Sequence, residues 1–387
     1  MNRTLLHDVV APPIVAFKEK ARRITPGCGR VFDMTQAVPA YSTFDSIRRR
    51  LKAALDDDQV SFYTDVPGLP ELRTRIAATH PLTGSFTAEN VLVTAGANHA
   101  MYTALTLLFN PGEKVLLLEP YYFNYDMAIR MLSLQPVYHP LAETDGFRLN
   151  AAAVIRHAEA AGVQGIIVIT PNNPTGASYD AAELLQLLEW SSRSGVEILL
   201  DETYLRFAPR HLQDQRVGDF LSTTLTLIGS FSKSFSLTGY RVGYLIAAEQ
   251  KMAEYLKVQD TMVICAPHLA QLAALHGLEA CSGDVAAKVA GVARLEQVLT
   301  GKSAGLQQFR LASSGAYFAF LRHPFIDLGC EEATLSLYER TGILGLPGTV
   351  FGASMTPYIR LAFCNLTEAE LLLALENLTL YDREMAA

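Results

Sequence analysis

Cysteine is scarce in this chain and poorly spaced for bonding. Five residues in 387, Cys28, Cys265, Cys281, Cys330 and Cys364, lie far apart with no CxxC pair. That argues against a disulfide framework or a zinc site and fits a reducing, cytoplasmic setting. Basic blocks are short as well. Beyond Arg48, Arg49 and Arg50, a trio on a helix surface, Lys and Arg form no run, and the net charge of -7 leaves no footprint for nucleic acid. No apolar run reaches the length needed to cross a bilayer, and MNRTLLHDVV carries no secretory pattern. The chain shows neither an internal repeat nor a low-complexity segment. What is present is an ordinary globular composition, 50% hydrophobic and 18% charged, enough for one large or two ordinary domains.

Residues 1–43 are rich in Pro, Gly and small residues, with one basic helical stretch over 14–23, and are expected to form an arm that packs on something else. Residues 32–41, FDMTQAVPAY, predict a short strand and a loop. Phe44, Ile47, Leu51 and Leu55 recur at helical spacing and predict an amphipathic helix over 44–56. Pro67, Gly68 and Pro70 mark a loop that opens a helix over 70–78. Tyr63, just ahead of it, fits plain ring packing on spacing alone. From residue 91, short apolar runs alternate with helical stretches: 91–94, 115–118, 165–169, 197–200, 225–228 and 243–247. This rhythm predicts βα units building a mainly parallel, doubly wound sheet. Further on, one long helix is expected near 250–300, strands over 313–320 and 358–364, and a loop over 342–352.

Ligands of such sheets sit beyond the carboxyl ends of the strands, so the residues after each run carry the functional argument. After the first come Ala97 and Asn98, opening a helix over 98–109. Bare N–H groups there suit an anion, although a tight turn capped by Asn98 explains the same residues. After the second comes EPYYFNY, fit for stacking on a planar ligand or for core packing. After the third comes TPNNPTG, a rigid loop bearing two amides, or a surface turn. After the fourth comes Asp201, a carboxylate that must be capped, paired or used if buried. After the fifth come Ser230, Ser232 and Lys233, with Arg241 eight residues beyond the lysine. Desolvation beside a buried strand lowers an ammonium's pKa and makes the amine a usable nucleophile. The serines and the arginine are phosphate-binding types. Jointly, these strand ends supply what a planar, phosphorylated heteroaromatic aldehyde needs, and pyridoxal phosphate fits each part. Arg360, alone inside the apolar strand 358–364, requires an anion, either in an internal salt bridge or on a ligand.

TPNNPTG, DETY and SFSKSFSLTGYRVG, in this order and spacing, resemble the class I/II aminotransferases, the aspartate aminotransferase superfamily within the fold-type I pyridoxal-phosphate enzymes. The resemblance runs from about Val31 to the C-terminus. It implies an α/β fold with a mainly parallel central sheet in a large domain and a smaller α+β domain. The arm, 1–43, would join the small domain at 285–387, and 44–284 would form the large cofactor-binding domain. The implied cofactor is pyridoxal 5'-phosphate, held as a Schiff base on Lys233, which also moves the substrate proton. Asp201 would pair with the pyridinium nitrogen, and Tyr204 and Asn173 with the ring's phenolic oxygen. Tyr122 matches the stacking ring, with Tyr121 and Phe123 as near neighbours. Ala97, Asn98, Ser230, Ser232 and Arg241 match phosphate contacts. Tyr63 matches a tyrosine that reaches the phosphate of the neighbouring subunit, which implies a homodimer with shared sites.

Arg360 matches the group that binds the substrate α-carboxylate, with Asn173 and Ala37 beside it. The implied reaction moves the amino group of an L-amino acid to a 2-oxo acid. The alternative on the same fold is β/γ-elimination, substitution or oxidation. Three positions depart from the family pattern: Ala37 where Gly is usual, Thr170 where Asn is frequent, and His99 where Glu or Gln is common. They bear on substrate and reaction outcome, not on the cofactor. No second substrate-binding arginine is read, so a dicarboxylic substrate is not expected, and neither is a metal, nucleic acid or membrane.

Overall fold

Alternate residues of the apolar runs serve two different cores. Leu116 and Leu118, Ile166 and Val168, and Ile198 and Leu200 pack on one face of a sheet. Val115 and Leu117, Ile167 and Ile169, and Leu199 pack on the other. With both faces covered, a strand has no reason to alternate polar and apolar residues, which is why these runs are continuous. The computed structural model that shows this describes residue 9, residues 11–208, residue 212 and residues 214–386. Most of MNRTLLHDVV lies outside those residues.

The described strands, in chain order, are β1 (Phe32–Asp33), β2 (Val91–Thr94), β3 (Lys114–Glu119), β4 (Gln135–Pro140), β5 (Gly165–Ile169), β6 (Glu197–Asp201) and β7 (Leu225–Ser230). Then follow β8 (Gly243–Ile246), β9 (Arg310–Gly315), β10 (Phe318–Arg322), β11 (Ile343–Leu344), β12 (Leu346–Pro347) and β13 (Tyr358–Leu361). Seven of them form the central sheet in the order β2-β8-β7-β6-β5-β3-β4. Its pairings are parallel except those of β8, which runs antiparallel to both β2 and β7. The α/β fold and mainly parallel sheet expected from the apolar rhythm are therefore present.

β4 adds a strand that the apolar runs do not announce. Among the described strands it pairs only with β3; it is half-exposed and carries Pro136 and Pro140. Prolines are tolerated there because an edge strand has a side with no ladder to complete. The expected helices over 44–56, 70–78 and 98–109 occupy Asp45–Ala54, Pro70–Thr79 and Ala97–Leu108. The single helix expected near 250–300 is instead three, Glu249–Val263, His268–Ala280 and Ser282–Ser303. Ile264 adopts a positive φ of 64° and Pro267, lacking an N–H, cannot continue the first helix.

A second, antiparallel sheet has the order β12-β13-β10-β9. The expected strand over 313–320 is a hairpin, β9 and β10, that turns through Ala316 at φ 48°. The expected loop over 342–352 contains β11 and β12, and the strand expected over 358–364 ends at Leu361 and gives way to a short turn, Phe363–Asn365. β1, from the arm, pairs in parallel with β11, and Phe32, Met34 and Ala37 share a core with Ile343, Ile359 and Leu361. The arm thus packs on the C-terminal part of the chain, and its helix, Pro13–Ala21, packs through Phe17 against Phe351 and Leu346.

The loop after β5 meets β9 of the second sheet backbone to backbone at Gly176 and Gly315. Gly176 has a φ of 74°, and a Cβ there would run into the Gly315 backbone. Ser313 Oγ also donates to Thr175 O across this junction at 2.9 Å. Gly176→Ala therefore adds both left-handed strain and a clash with rigid backbone, and is expected to destabilise the fold by about 3 kcal/mol, read from urea unfolding. A loss below about 0.5 kcal/mol, the range of an ordinary surface change, would contradict this junction.

Candidate active site

The ends of β2, β3, β5, β6 and β7 open onto one cavity of about 520 Å³. Twelve of the thirteen residues singled out from the sequence line it: Ala37, Ala97, Asn98, Tyr122, Asn173, Asp201, Tyr204, Ser230, Ser232, Lys233, Arg241 and Arg360. Tyr63 does not. It lies on the outer surface, 76% exposed, next to the also exposed Phe62.

Lys233 follows β7 and is half-buried in the cavity wall. Burial first, then the positive charges of Arg360 and Arg241, bring its amine down to about 7. Nζ donates to Ala37 O and lies 5.9 Å from the centre of the Tyr204 ring. Ala37 thus meets the lysine through its carbonyl. Tyr41 OH donates to Lys233 O at 2.9 Å and fixes the backbone at that residue.

Asp201 ends β6 and is buried. Burial raises its pKa, opposed by donors from Tyr125 and Thr203. Oδ2 accepts from Tyr125 OH at 2.5 Å, and Oδ1 from Thr203 N at 2.8 Å. Tyr125 is a functional neighbour that the sequence does not flag. It stands one residue past Asn124 in EPYYFNY, and only the crossing of two strand ends brings it to Asp201.

Within the same aromatic cluster the rings divide. Tyr121 turns away and stacks on Tyr138, with centroids 5.3 Å apart, whereas Tyr122 and Phe123 line the cavity. Tyr122 OH accepts from Asn124 Nδ2 at 2.7 Å. The two amides of TPNNPTG divide likewise. Asn172 Oδ1 accepts from Thr175 N and Oγ1 and shapes the turn, which leaves Asn173 to face the cavity. Thr170 Oγ1 accepts from Tyr179 N at 2.9 Å, so this departure from the family pattern braces the loop and stays outside the cavity. His99 similarly accepts from Ala95 N through Nδ1, at the entry to the Ala97–Leu108 helix.

That helix begins at Gly96, with a φ of 90°. A Cβ on Gly96 would lie 2.5 Å from Arg241 Nη2, so the glycine keeps open a cradle formed by the helix N-terminus and the guanidinium. Arg241 is itself left-handed at φ 57°, and its Nη1 donates to Thr238 O at 3.0 Å. Ser230 Oγ accepts from Ser232 N at 3.1 Å on the same side.

Arg360 comes from the second sheet, opposite Phe320 and Leu346. It is 2% exposed, and burial lowers its pKa to about 10, so it stays charged at neutral pH. Its guanidinium donates to Asn173 Oδ1 at 3.1 Å and to Thr35 O. The rings of Phe318 and Phe351 lie 5.0 Å from it. Nε is buried with no partner, a donor left free for an anion. Pro13, Ile14 and Val15 of the arm, with Val38, add an apolar side to the cavity. Among the described residues no group of three His, Cys, Asp or Glu could hold a metal.

Comparison with known proteins places this arrangement. Residues 30–378 match the family model described as aminotransferase class I and II. The chain is similar to the aspartate aminotransferase of Sulfurisphaera tokodaii, 29% identical with 90% of each chain covered. It is similar to the arginine–pyruvate transaminase of Pseudomonas aeruginosa, 30% identical with 82% of each covered. Its fold is that of a Thermus thermophilus aspartate aminotransferase double mutant, with a TM-score of 0.86, 24% identity and coverage of 98% and 99%. Amino-group transfer is thus supported over elimination, substitution or oxidation. The chain belongs to the class I and II aminotransferases, enzymes that transfer amino groups.

Proposed function

We propose that the cavity binds pyridoxal 5'-phosphate on Lys233 and that the enzyme uses it to move the amino group of an L-amino acid to a 2-oxo acid. The observation that carries this reading is the Lys233 amine, brought down to about 7 in one cavity with a buried carboxylate and two guanidiniums. Two features of the cavity fit the cofactor and its substrate: the cradle that Gly96 leaves beside Arg241, and the unpartnered Nε of Arg360.

When bound, the cofactor supplies an electron sink for the pair left when the substrate's α-proton departs. The residues do the rest. Lys233 anchors the aldehyde carbon and, once released, its amine takes and returns that proton. Asp201 sets a negative charge against the ring nitrogen. Tyr204 and Asn173 donate to the phenolic oxygen, and the Tyr122 ring covers one face. Backbone N–H groups of Ala97 and Asn98, with Ser230, Ser232 and Arg241, hold the phosphate. Arg360 holds the substrate carboxylate with its remaining N–H donors, beside Asn173 and Ala37. The exposed Tyr63 reaches the phosphate of a partner subunit in a homodimer. We assign the arm, 1–43, and residues 285–387 to a small domain and 44–284 to a large one. The free, scattered cysteines support a cytoplasmic enzyme.

Borohydride reduction of the cofactor-loaded enzyme is expected to trap the cofactor on the peptide containing Lys233 and to give no adduct in Lys233→Ala, read by mass spectrometry. A loaded wild type without that adduct sinks the proposal.

The pH dependence follows from the same amine. A lysine pKa below the ordinary 10.5 means that the nucleophilic form appears earlier as pH rises. Loading of the apoenzyme, followed by stopped-flow absorbance, is therefore expected to accelerate through a midpoint near 7. Arg360→Met removes a like charge and moves that midpoint upward. A wild-type midpoint at the ordinary lysine value, or a downward move in the variant, would refute the electrostatic account.

A further inference from the structure

The segment 33–38 touches the site through backbone carbonyls, and something must hold those carbonyls in place. Thr35 O accepts from Arg360, and Ala37 O from Lys233. Met34 exchanges backbone hydrogen bonds with Leu344 and Ala362, which fixes the start of the segment. Past it, the chain has no strand partner. There side chains take over: Asp33 Oδ1 accepts from Thr35 N at 3.0 Å and from Thr35 Oγ1 at 2.6 Å, and one further side chain spans the whole segment. Asn365, in the turn that follows β13, donates through Nδ2 to Asp33 O at 3.0 Å and Gln36 O at 2.5 Å, and accepts from Val38 N through Oδ1 at 3.0 Å. Only one amide orientation satisfies all three bonds, because two partners are carbonyls and the third is an N–H.

We propose that Asn365 is a positioning residue for substrate binding. It ties the segment 33–38 to the strand that carries Arg360, so that Thr35 O and Asn173 Oδ1 together fix the plane of the guanidinium. Nε and the remaining Nη hydrogens then face the substrate carboxylate ready-oriented. The same tether sets Ala37 O against the lysine amine. An arginine without this brace rotates among several orientations, and bidentate recognition loses much of its advantage. The inference rests on Arg360 being the carboxylate-binding group.

Two variants test it. Asn365→Ala removes all three bonds. Asn365→Asp keeps the size and the acceptor for Val38 N but turns a carboxylate oxygen toward two carbonyls. Hydrogen exchange over residues 33–38, followed by mass spectrometry in the apo and loaded enzyme, is expected to quicken about tenfold in Asn365→Ala. In Asn365→Asp the segment is expected to quicken as well, with Val38 N–H least affected.

Steady-state kinetics use whichever of the twenty standard L-amino acids the wild type converts best, with pyruvate or 2-oxoglutarate as acceptor. KM for that donor is expected to rise about tenfold in both variants, with kcat within about threefold. Exchange that stays at the wild-type rate overturns the tether, and faster exchange with an unchanged KM overturns its role in binding. A loss confined to thermal stability also overturns it, since that is all a packing role would produce. A wild type that converts none of the twenty with either acceptor is instead a failure of the proposed function, read without either variant.

Discussion

Positive charge gathered around one cavity organises this molecule, with Arg360 buried, Lys233 half-buried and Arg241 exposed. The Lys233 ammonium, the Arg360 guanidinium and the Arg241 guanidinium converge on one cavity in which Asp201 is the lone carboxylate among the described lining residues. Taking such groups out of water is costly unless they are paired. The lysine responds by giving up its proton readily, but the arginines cannot. Arg360 stays charged and buried, held by a carbonyl, an amide oxygen and two aromatic faces. Among the described lining residues Asp201 alone offsets this charge, so the cavity favours anions from outside, as the proposed phosphate and substrate carboxylate would be.

The fold delivers these charges from two separate sheets. Asp201, Lys233 and the Gly96 cradle sit at the carboxyl ends of parallel strands, where chain direction naturally gathers loops. Arg360 arrives from the antiparallel sheet, across the glycine contact at Gly176 and Gly315. That contact is close because neither residue has a side chain. Asn173, three residues before Gly176, bonds Arg360, so the junction between sheets and the grip on the guanidinium belong to one loop.

Much of this was legible in the sequence, for identifiable physical reasons. Strands buried on both faces leave continuous apolar runs, and the motifs at their ends fall in chain order, so β2, β3 and β5 to β8 could be read directly. β4 escaped because an edge strand needs no such run and tolerates Pro136 and Pro140. The hairpin at Ala316 and the break at Ile264 escaped because positive φ values at non-glycine residues leave no mark in composition. Site residues flagged on motifs, Tyr63 apart, line one cavity. Partnerships made by the tertiary fold are not marked in the motifs: Tyr125 donates to Asp201 across 76 positions, and Tyr121 is separated from Tyr122 only by its stack on Tyr138.

Lys233, Arg241 and Arg360 are held in the free chain by neutral acceptors: Ala37 O, Thr238 O, Thr35 O and Asn173 Oδ1. A carboxylate in any of these places would bind its cation more strongly, but it would also cancel the charge that recruits the ligand. Carbonyl dipoles orient a cation and leave its net charge intact. This explains why the segment at Thr35 and Ala37 meets the site through its backbone, where the side chains could have carried formal charge. The one carboxylate that braces the segment, Asp33, bonds Thr35 and is paired with Lys18, while Asn365 satisfies two carbonyls and an N–H without adding charge. Orientation is supplied by dipoles and attraction by charge, and the cavity works because the two tasks are kept on different groups.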